Sequence, residues 1–471
     1  MEIKHSIISG IPINSDHLLY IKSPYDGRIV GTVTMASPQD IERALSIAYA
    51  GGPTLTRYQR FAILDRARLL LMERKEEFAA IISAESGLAI REARYETGRA
   101  HDVLLFASHE CLKDDGQVFS CDVSPQGKAR KIFTLREPYN LAVCITPFNH
   151  PLNQVVHKLA PAIAAGTPVI LKPSEKTPLT ALKITELLYE AGLPGYMLST
   201  VLGPTSDVAI PLVKDSRVDI VSFTGSVAVG KAIAHSAGYK KLVLELGGND
   251  PLIIMEDADI DKAVLFAAEG SYRNSGQRCT AVKRILVHES ICDVFTQKLV
   301  EKTKEYKCGD PSDPDTVVGT VIDEPSAIYL ESVVNKAVAQ GARVLCGGTR
   351  NGALMDPTVI DRVPRNADMV MHESFGPLAP IITFKDIDDA ISVSNSTAFG
   401  LSSGIITQNM NYAIRFIKEL KVGTVNINEV PGYRIESSPF GGIKDSGLGV
   451  KEGVIEAIKC FSYVKTFSLP W

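Results

Sequence analysis

Cys279 stands in the run Ser275-Gly-Gln-Arg-Cys-Thr280, where a glycine-containing loop follows a helical segment and an arginine directly precedes the thiol. That setting exposes the sulfur and favours its ionised form, the form that attacks electrophilic carbon. The other seven cysteines (111, 121, 144, 292, 308, 346 and 460) lack such surroundings. They contain no C-x-x-C pair and no zinc spacing, so they read as small buried hydrophobes of a reduced protein, and no metal site is expected. Glu245 lies 34 residues upstream of Cys279 and closes the apolar run Lys241-Leu-Val-Leu-Glu245. A carboxylate at the end of an apolar strand is partly desolvated, which raises its pKa towards that of a useful base. The glycines that follow, Gly247 and Gly248, let backbone or ligand approach closely. Taken alone, the thiol also fits a structural role, and the carboxylate fits a cap.

Two further segments have the composition of ligand contacts. Lys172-Pro-Ser-Glu175 places an ammonium and a carboxylate on one loop, where they are able to grip the two hydroxyls of a ribose; a capped turn with surface charges is the competing reading. Gly225-Ser-Val-Ala-Val-Gly-Lys231 nearly matches a P-loop, but Ala232 stands where a magnesium-holding hydroxyl belongs, and Val227 occupies the second glycine of G-x-G-x-x-G. A strand, a turn and a helix with free N–H groups remain, which suits either an anion or a plain strand-to-helix turn.

The elements that must position these residues are legible. Residues 38–112 read as helical, opened by the N-cap Ser37 and by Pro38 at the first helical position. From 141 onward, predicted strands at 141–145, 168–172, 199–202, 220–223 and 241–246 alternate with helices, among them one starting at Thr177-Pro178 and ending near Gly192. Further helices are predicted at 96–108 and from 259 to about 274. Residues 258–430 repeat the alternation as a second α/β unit. The pattern implies a mainly parallel, doubly wound sheet. Ligands gather at the carboxyl ends of such strands, here 146–151, 172–175, 224–231 and 245–249. A length of 471 residues exceeds one ordinary core. With 45% hydrophobic and 22% charged residues the composition is that of a soluble globular protein, and the net charge of −4 without a basic run argues against nucleic acid. The apolar stretch 159–171 is too short and too broken to span a bilayer, and residues 1–14 lack a signal-peptide layout, so a cytoplasmic protein with no membrane partner is expected.

Seven motifs in order resemble the aldehyde dehydrogenase superfamily: Thr146-Pro-Phe-Asn-His-Pro151, Lys172-Pro-Ser-Glu175, Phe223-Thr-Gly-Ser226, Glu245-Leu-Gly-Gly248, Gly276-Gln-Arg-Cys279, Glu373-Ser-Phe-Gly-Pro377 and Pro439-Phe-Gly-Gly442. The resemblance implies an α/β fold with a Rossmann-type domain (1–116 and 138–247), a second α/β catalytic domain (248–432) and bridging strands (117–137 and 453–471) that join subunits into a homodimer or homotetramer. It implies Cys279 as nucleophile, Glu245 as general base and Asn149 as side-chain donor to the oxyanion. It assigns the cofactor to Thr146, Phe148, Lys172, Ser174, Glu175, Thr224, Gly225, Ser226, Glu373 and Phe375. Glu175 beside the ribose repels a 2′-phosphate, which favours NAD over NADP. The presence of Glu245 favours hydrolysis over the coenzyme A-dependent branch.

For the substrate, Arg99, His150, Arg278 and Arg434, with Thr280, cluster around the inferred pocket. The run from Gly276 to Arg284 resembles non-phosphorylating glyceraldehyde-3-phosphate dehydrogenases, from which Glu175 and His150 depart. His150, the 428–434 stretch and the tail 465–471 resemble phosphonoacetaldehyde dehydrogenases. That likeness makes the cations a clamp for a small anionic aldehyde, with phosphonoacetaldehyde expected to be oxidised to phosphonoacetate. Glyceraldehyde 3-phosphate, succinate semialdehyde and lactaldehyde are the alternatives, and a P-loop-like nucleotide-binding protein is the alternative of another class, disfavoured by Ala232.

Overall fold

The computed structural model describes residues 3–471. The expected helical block resolves into α1 (Pro38–Ala50), α2 (Arg57–Glu73), α3 (Lys75–Ser86) and α4 (Ile90–Glu110). Ser37 and Asp40 form a reciprocal capping box at the start of α1, and Thr56 and Gln59 repeat the device at α2. Gly87, in the left-handed region, ends α3. Next come α5 (Asn153–Ala165), α6 (Pro178–Glu190), α7 (Ala209–Lys214), α8 (Val227–Ser236) and α9 (Ile260–Tyr272).

The first sheet orders its strands as Lys241–Glu245, Ile220–Thr224, Ala142–Ile145, Val169–Lys172 and Leu198–Thr200, all parallel, followed by Ile7–Ile8 and Ile11–Pro12 running antiparallel. Strand order reverses between Ala142–Ile145 and Ile220–Thr224, so the crevice for a ligand lies beyond Ile145 and Thr224. Alternate residues face opposite sides. Ala142, Cys144, Val169 and Leu171 pack with the core under α2–α6, while Val143, Ile145, Ile170 and Val221 pack with α1, α7 and α8. The N-terminal strands were not anticipated, because two-residue runs carry no periodicity.

A second seven-stranded sheet holds Arg343–Cys346, Thr358–Asp361, Leu378–Phe384, Arg284–His288, Pro251–Ile254, Ser402–Ile406 and Thr424–Ile427 in that order, parallel except for its first pair. Ser462–Pro470 pairs antiparallel with Arg130–Pro138, which also pairs with Val118–Ser120. Within the segment 453–471, which was expected to be strand, Val454–Cys460 is helical instead; Val454 and Cys460 are buried in the first core, and the strand begins at Ser462.

Two helix starts are capped from outside their own sequence. Thr177 makes no cap bond at α6, and its hydroxyl donates to the Phe148 carbonyl at 3.4 Å. The buried Glu85 of α3 accepts instead from the N–H groups of Leu179 (2.7 Å) and Thr180 (3.0 Å) and from the Thr180 hydroxyl. Burial pushes the Glu85 carboxyl up to about 8, against these bonds. Glu96 of α4 likewise accepts from Leu152 (2.8 Å) and Asn153 (2.9 Å) at the start of α5. Carboxylates at helix N-termini satisfy otherwise orphaned donors. Glu85→Ala is therefore expected to lower unfolding stability by roughly 1–3 kcal/mol in chemical denaturation, because two buried N–H groups lose their acceptor.

Candidate active site

The loop that carries Cys279 follows α9. Asn274 and Ser275 take left-handed backbone angles there, and a side chain at Gly276 would collide with the backbone of Gly376. Strain of this kind persists only where the surroundings over-determine it. Here the Asn274 amide donates to the Asn149 carbonyl (3.0 Å) and to the Gln277 carbonyl (3.2 Å), while the Asn149 amide donates to the same Gln277 carbonyl at 2.8 Å. A side chain at Gly248 would strike the Cys279 carbonyl, and the Gly248 N–H donates to Glu373 at 3.2 Å. Phe375 meets Phe148 edge-on at 5.9 Å. The structure thus brings together Asn149, Gly248, Cys279, Glu373 and Phe375 from motifs far apart in the chain. Asn149 spends one of its two N–H groups on Gln277, leaving the other as a donor.

Cys279 is half-buried, and all eight cysteines are unpaired. Burial pushes its thiol up to about 11, opposed first by Lys283 and then by Arg434, and reinforced by Asp250 and Glu373. This corrects the expectation of an ionised resting thiol: the local sequence shows the arginine next door but not the desolvation. The Arg278 guanidinium turns away and donates to the carbonyls of Gly270 (2.7 Å) and Glu269 (3.3 Å), at the C-terminal end of α9. A cation is favoured there by the helix dipole. Its Nε is buried without a partner.

Glu245 ends its strand as expected, buried, with neither carboxylate oxygen hydrogen-bonded. Burial raises it well above the usual carboxylate range and nearby Glu452 adds to this, while Lys158, Arg434 and Lys451 pull the other way. Lys158 is itself buried and donates to Glu452 (2.9 Å) and Ser222 (2.8 Å).

The cations gather around α4, whose residues 92, 95, 96 and 99 share one face at helical spacing. Glu92 pairs with Arg273 (3.2 Å), and the Arg273 guanidinium lies 4.4 Å over the Tyr95 ring. Glu96 faces the His150 imidazole at 3.6 Å. Arg99 Nε donates to Glu436 at 2.5 Å. The second oxygen of Glu436 meets His157 at 2.6 Å and Arg434 at 4.0 Å. Burial alone would raise Glu436, but the His157 hydrogen bond and the charges of His157, Arg99 and Arg434 carry it well below the usual carboxylate range. Arg434 lies 4.0 Å over the Phe440 ring and lines a cavity of about 330 Å³. Its side chain is only 13% exposed, and among the described residues its guanidinium makes no hydrogen bond. Thr280 packs against Gly432, just before this segment. Arg273, Glu92, Glu96, Glu436 and Asn274 escaped the sequence reading, because their partners are distant in the chain and only the 92/96/99 spacing hinted at a shared face.

At the switch point, the hydroxyls of Thr146 and Thr224 are buried without partners. Ser226 caps α8 through Val229, and Gly225 folds where a side chain would strike the Phe223 ring. Lys172 pairs with Glu175 at 2.5 Å just past its strand, and the Ser174 hydroxyl accepts from the Lys176 N–H at 3.2 Å. Lys231 does not turn towards a phosphate site but pairs with Asp445 at 2.8 Å on the surface. That removes the remaining support for a P-loop. A separate cavity of about 560 Å³, lined by Arg57, Arg60 and Arg136, is bordered by none of these site residues. Among the described residues no His, Cys, Asp or Glu cluster suits a metal, and no helix is long and apolar enough to cross a membrane.

Residues 13–467 match the aldehyde dehydrogenase family. The chain is 38% identical over 440 residues to a 3-sulfolactaldehyde dehydrogenase of Priestia aryabhattai, covering 93% of this chain and 92% of that one. It is 35% identical over 447 residues to a sulfoacetaldehyde dehydrogenase of Neptuniibacter caesariensis, covering 94% and 98%. The crystal structure of a glyceraldehyde-3-phosphate dehydrogenase from Methanocaldococcus jannaschii complexed with NADP superposes with a TM-score of 0.93 at 35% identity, covering 98% of this chain and 100% of that one.

With its thiol held near 11, Cys279 in the ligand-free protein is protonated at neutral pH. Its alkylation by iodoacetamide is expected to be slow at pH 7 and to rise about tenfold per pH unit towards that value, because only the thiolate reacts. Mass spectrometry of the labelled Cys279 peptide across pH checks this.

Proposed function

The chain belongs to the aldehyde dehydrogenase family, and on that premise we propose that it oxidises a small anionic aldehyde, phosphonoacetaldehyde, to the acid with NAD in the cytoplasm. The observation that carries the reading is Arg434, a guanidinium largely shielded from water that makes no hydrogen bond among the described residues and meets Glu436 only at 4.0 Å. A buried cation in that state calls for an anionic partner. Arg99, Arg273, Arg278 and Arg434 lie nearest Glu92 and Glu436, with Glu96 also acting on Arg99 and Glu452 on Arg434, while Glu96 faces His150. A phosphate-type group carries about −1.5 to −2 at neutral pH, and guanidinium forks suit its oxygens. A sulfonated aldehyde, with one negative charge, is the second reading, favoured by the two relatives named for such substrates.

The residues expected at the dinucleotide fit it. The unpartnered hydroxyls of Thr146 and Thr224 and the start of α8 lie at the switch point, and Lys172 with Glu175 stands at the next strand end, where the carboxylate disfavours a 2′-phosphate. When bound, NAD supplies the hydride acceptor. The chain's own residues do the rest. The Cys279 thiolate adds to the aldehyde carbon, and the carbonyl oxygen becomes an oxyanion held by the remaining Asn149 N–H and the Cys279 backbone N–H. Once oxidised, the carbon is a thioester. Glu245 takes a proton from water, the water oxygen attacks that carbon, and the C–S bond breaks to release acid and thiolate. The three-stranded sheet of Ser462–Pro470, Arg130–Pro138 and Val118–Ser120 exposes Phe119 and Val464 on one face and Phe467 and Leu469 on the other, with Trp471 just beyond, which supports burial of this sheet in a homodimer or homotetramer.

The test compares kcat/KM for phosphonoacetaldehyde, sulfoacetaldehyde and propanal with NAD and with NADP. Phosphonoacetaldehyde with NAD is expected to lead. Arg434→Ala is expected to reduce its kcat/KM about 10- to 100-fold, the worth of a charged hydrogen bond, with little change for propanal. Equal use of propanal by the parent protein would overturn the reading, and a lead for sulfoacetaldehyde would select the second one. Glu245→Gln is expected to slow steady-state turnover about 10²–10⁴-fold while a rapid first burst of NADH persists. The parent's kcat should climb with pH, since the raised carboxyl accepts a proton only once ionised, and stopped-flow absorbance reads both effects.

A further inference from the structure

Lys283, four residues beyond Cys279, has no role in the chemistry above, yet it is one of the largest fully buried side chains of the protein, with 1% of it exposed. Its ammonium donates to the Arg278 carbonyl at 2.7 Å and to the Cys279 carbonyl at 2.6 Å, and it stands 3.1 Å from Glu373. Burying an ammonium is costly unless every contact counts, so a lysine here requires an explanation beyond filling space.

The two carbonyls supply one. In a trans peptide the C=O and the following N–H point in opposite directions. Holding the Arg278 carbonyl against Lys283 therefore turns the Cys279 N–H away from the ammonium. Among the described residues that N–H has no acceptor, although the neighbouring amides of Arg278 and Ala281 bond within the loop, to Gly276 and to Arg278. Gly248 makes the arrangement possible, because a side chain there would press 2.5 Å from the Cys279 carbonyl. The same ammonium is the positive charge that acts most strongly on the sulfur. Asp250 and Glu373 from the neighbouring elements oppose it, and Arg434 acts with it.

We propose that Lys283 is a positioning residue for the nucleophile: it locks the 278–279 and 279–280 peptides so that the Cys279 N–H is aimed as an oxyanion donor, and its charge favours the thiolate left when the thiol proton passes to solvent. Glu373 tempers it by sharing the ammonium. This rests on Cys279 being the nucleophile. Alkylation of Cys279 without loss of aldehyde oxidation would strike down that reading, whereas the comparison below strikes only at Lys283.

The experiment measures the pH dependence of iodoacetamide labelling of Cys279 in the ligand-free full-length protein, with thermal unfolding followed in parallel. Lys283→Met keeps the length and apolar stem and removes charge and donors. It is expected to move the labelling midpoint up by about one to three pH units, equal to roughly 10- to 1000-fold slower labelling below the midpoint. It is also expected to lower kcat about 10²–10³-fold, as for loss of an oxyanion donor, with a smaller change in KM. Glu373→Gln, which frees the ammonium from its counter-charge, is expected to move the midpoint down. A folded Lys283→Met protein that titrates like the parent overturns the proposal. If that variant does not fold, Lys283→Gln, which keeps a donor but removes the charge, decides instead: a raised midpoint supports the proposal, and an unchanged or lowered one overturns it.

Discussion

The loop that carries Cys279 is held by buried donors rather than by apolar packing alone, and the rest of the site depends on that restraint. Asn274 bridges the Asn149 and Gln277 carbonyls, Asn149 returns a bond to Gln277, and Lys283 binds the next two carbonyls. Two consecutive residues, Asn274 and Ser275, take left-handed angles to make this geometry possible. Each such residue costs about 1–3 kcal/mol, which a network of charged and amide donors to buried carbonyls is able to offset. The result is a thiol whose position relative to Asn149 and Gly248 varies little, because moving any one of them breaks bonds in a low-dielectric interior.

The cationic pocket follows a different logic. Its arginines are not left to repel one another: Glu92 and Glu436, both offered at the edge of α4, neutralise two of them and fix their directions. Glu436 is the more consequential, since its two oxygens serve Arg99 and His157 and it lies within 4.0 Å of Arg434. A carboxylate inside a cation cluster keeps the cluster foldable while setting how much positive charge a substrate meets. Charge count then becomes a specificity device, since a monoanion and a dianion of similar shape differ by one full interaction in a partly desolvated site.

Much of this was legible in the chain. Each of the five parallel strands of the first sheet falls within one or two residues of its expected range, because buried parallel strands are short apolar runs bounded by turn residues. The N-cap at Ser37 holds in atomic detail, since a capping box is local. Cys279, Asn149, Glu373 and Phe375 are brought together as the ordered motifs implied. What the chain concealed depends on tertiary partners. Thr177 looked like the cap of α6, but Glu85, some ninety residues earlier, supplies it. Arg278 looked aimed at the pocket, but the end of α9 offers its guanidinium two carbonyls. Cys279 looked ionised beside an arginine, but desolvation outweighs a cation that turns elsewhere.

That last discrepancy bears on the chemistry. In the proposed chemistry the Cys279 thiol and the Glu245 carboxyl both give up a proton, yet burial pushes the thiol up to about 11 and raises the carboxyl well above its usual range, and an anionic substrate arriving beside them would push both higher still. The chain must therefore supply enough positive charge to serve the substrate and the nucleophile at once. Arg434 is the residue shared between these demands: it lies within electrostatic reach of Cys279, of Glu245 and of Glu436, and unlike Arg99 and Arg278 it makes no hydrogen bond among the described residues. A substrate anion that takes up Arg434 removes part of the charge favouring the thiolate. Lys283, sealed behind the loop and out of reach of any substrate, is the cation whose influence on the sulfur survives that binding. In the proposed chemistry, Arg434 is taken up by the substrate anion while Lys283 stays with the Cys279 loop.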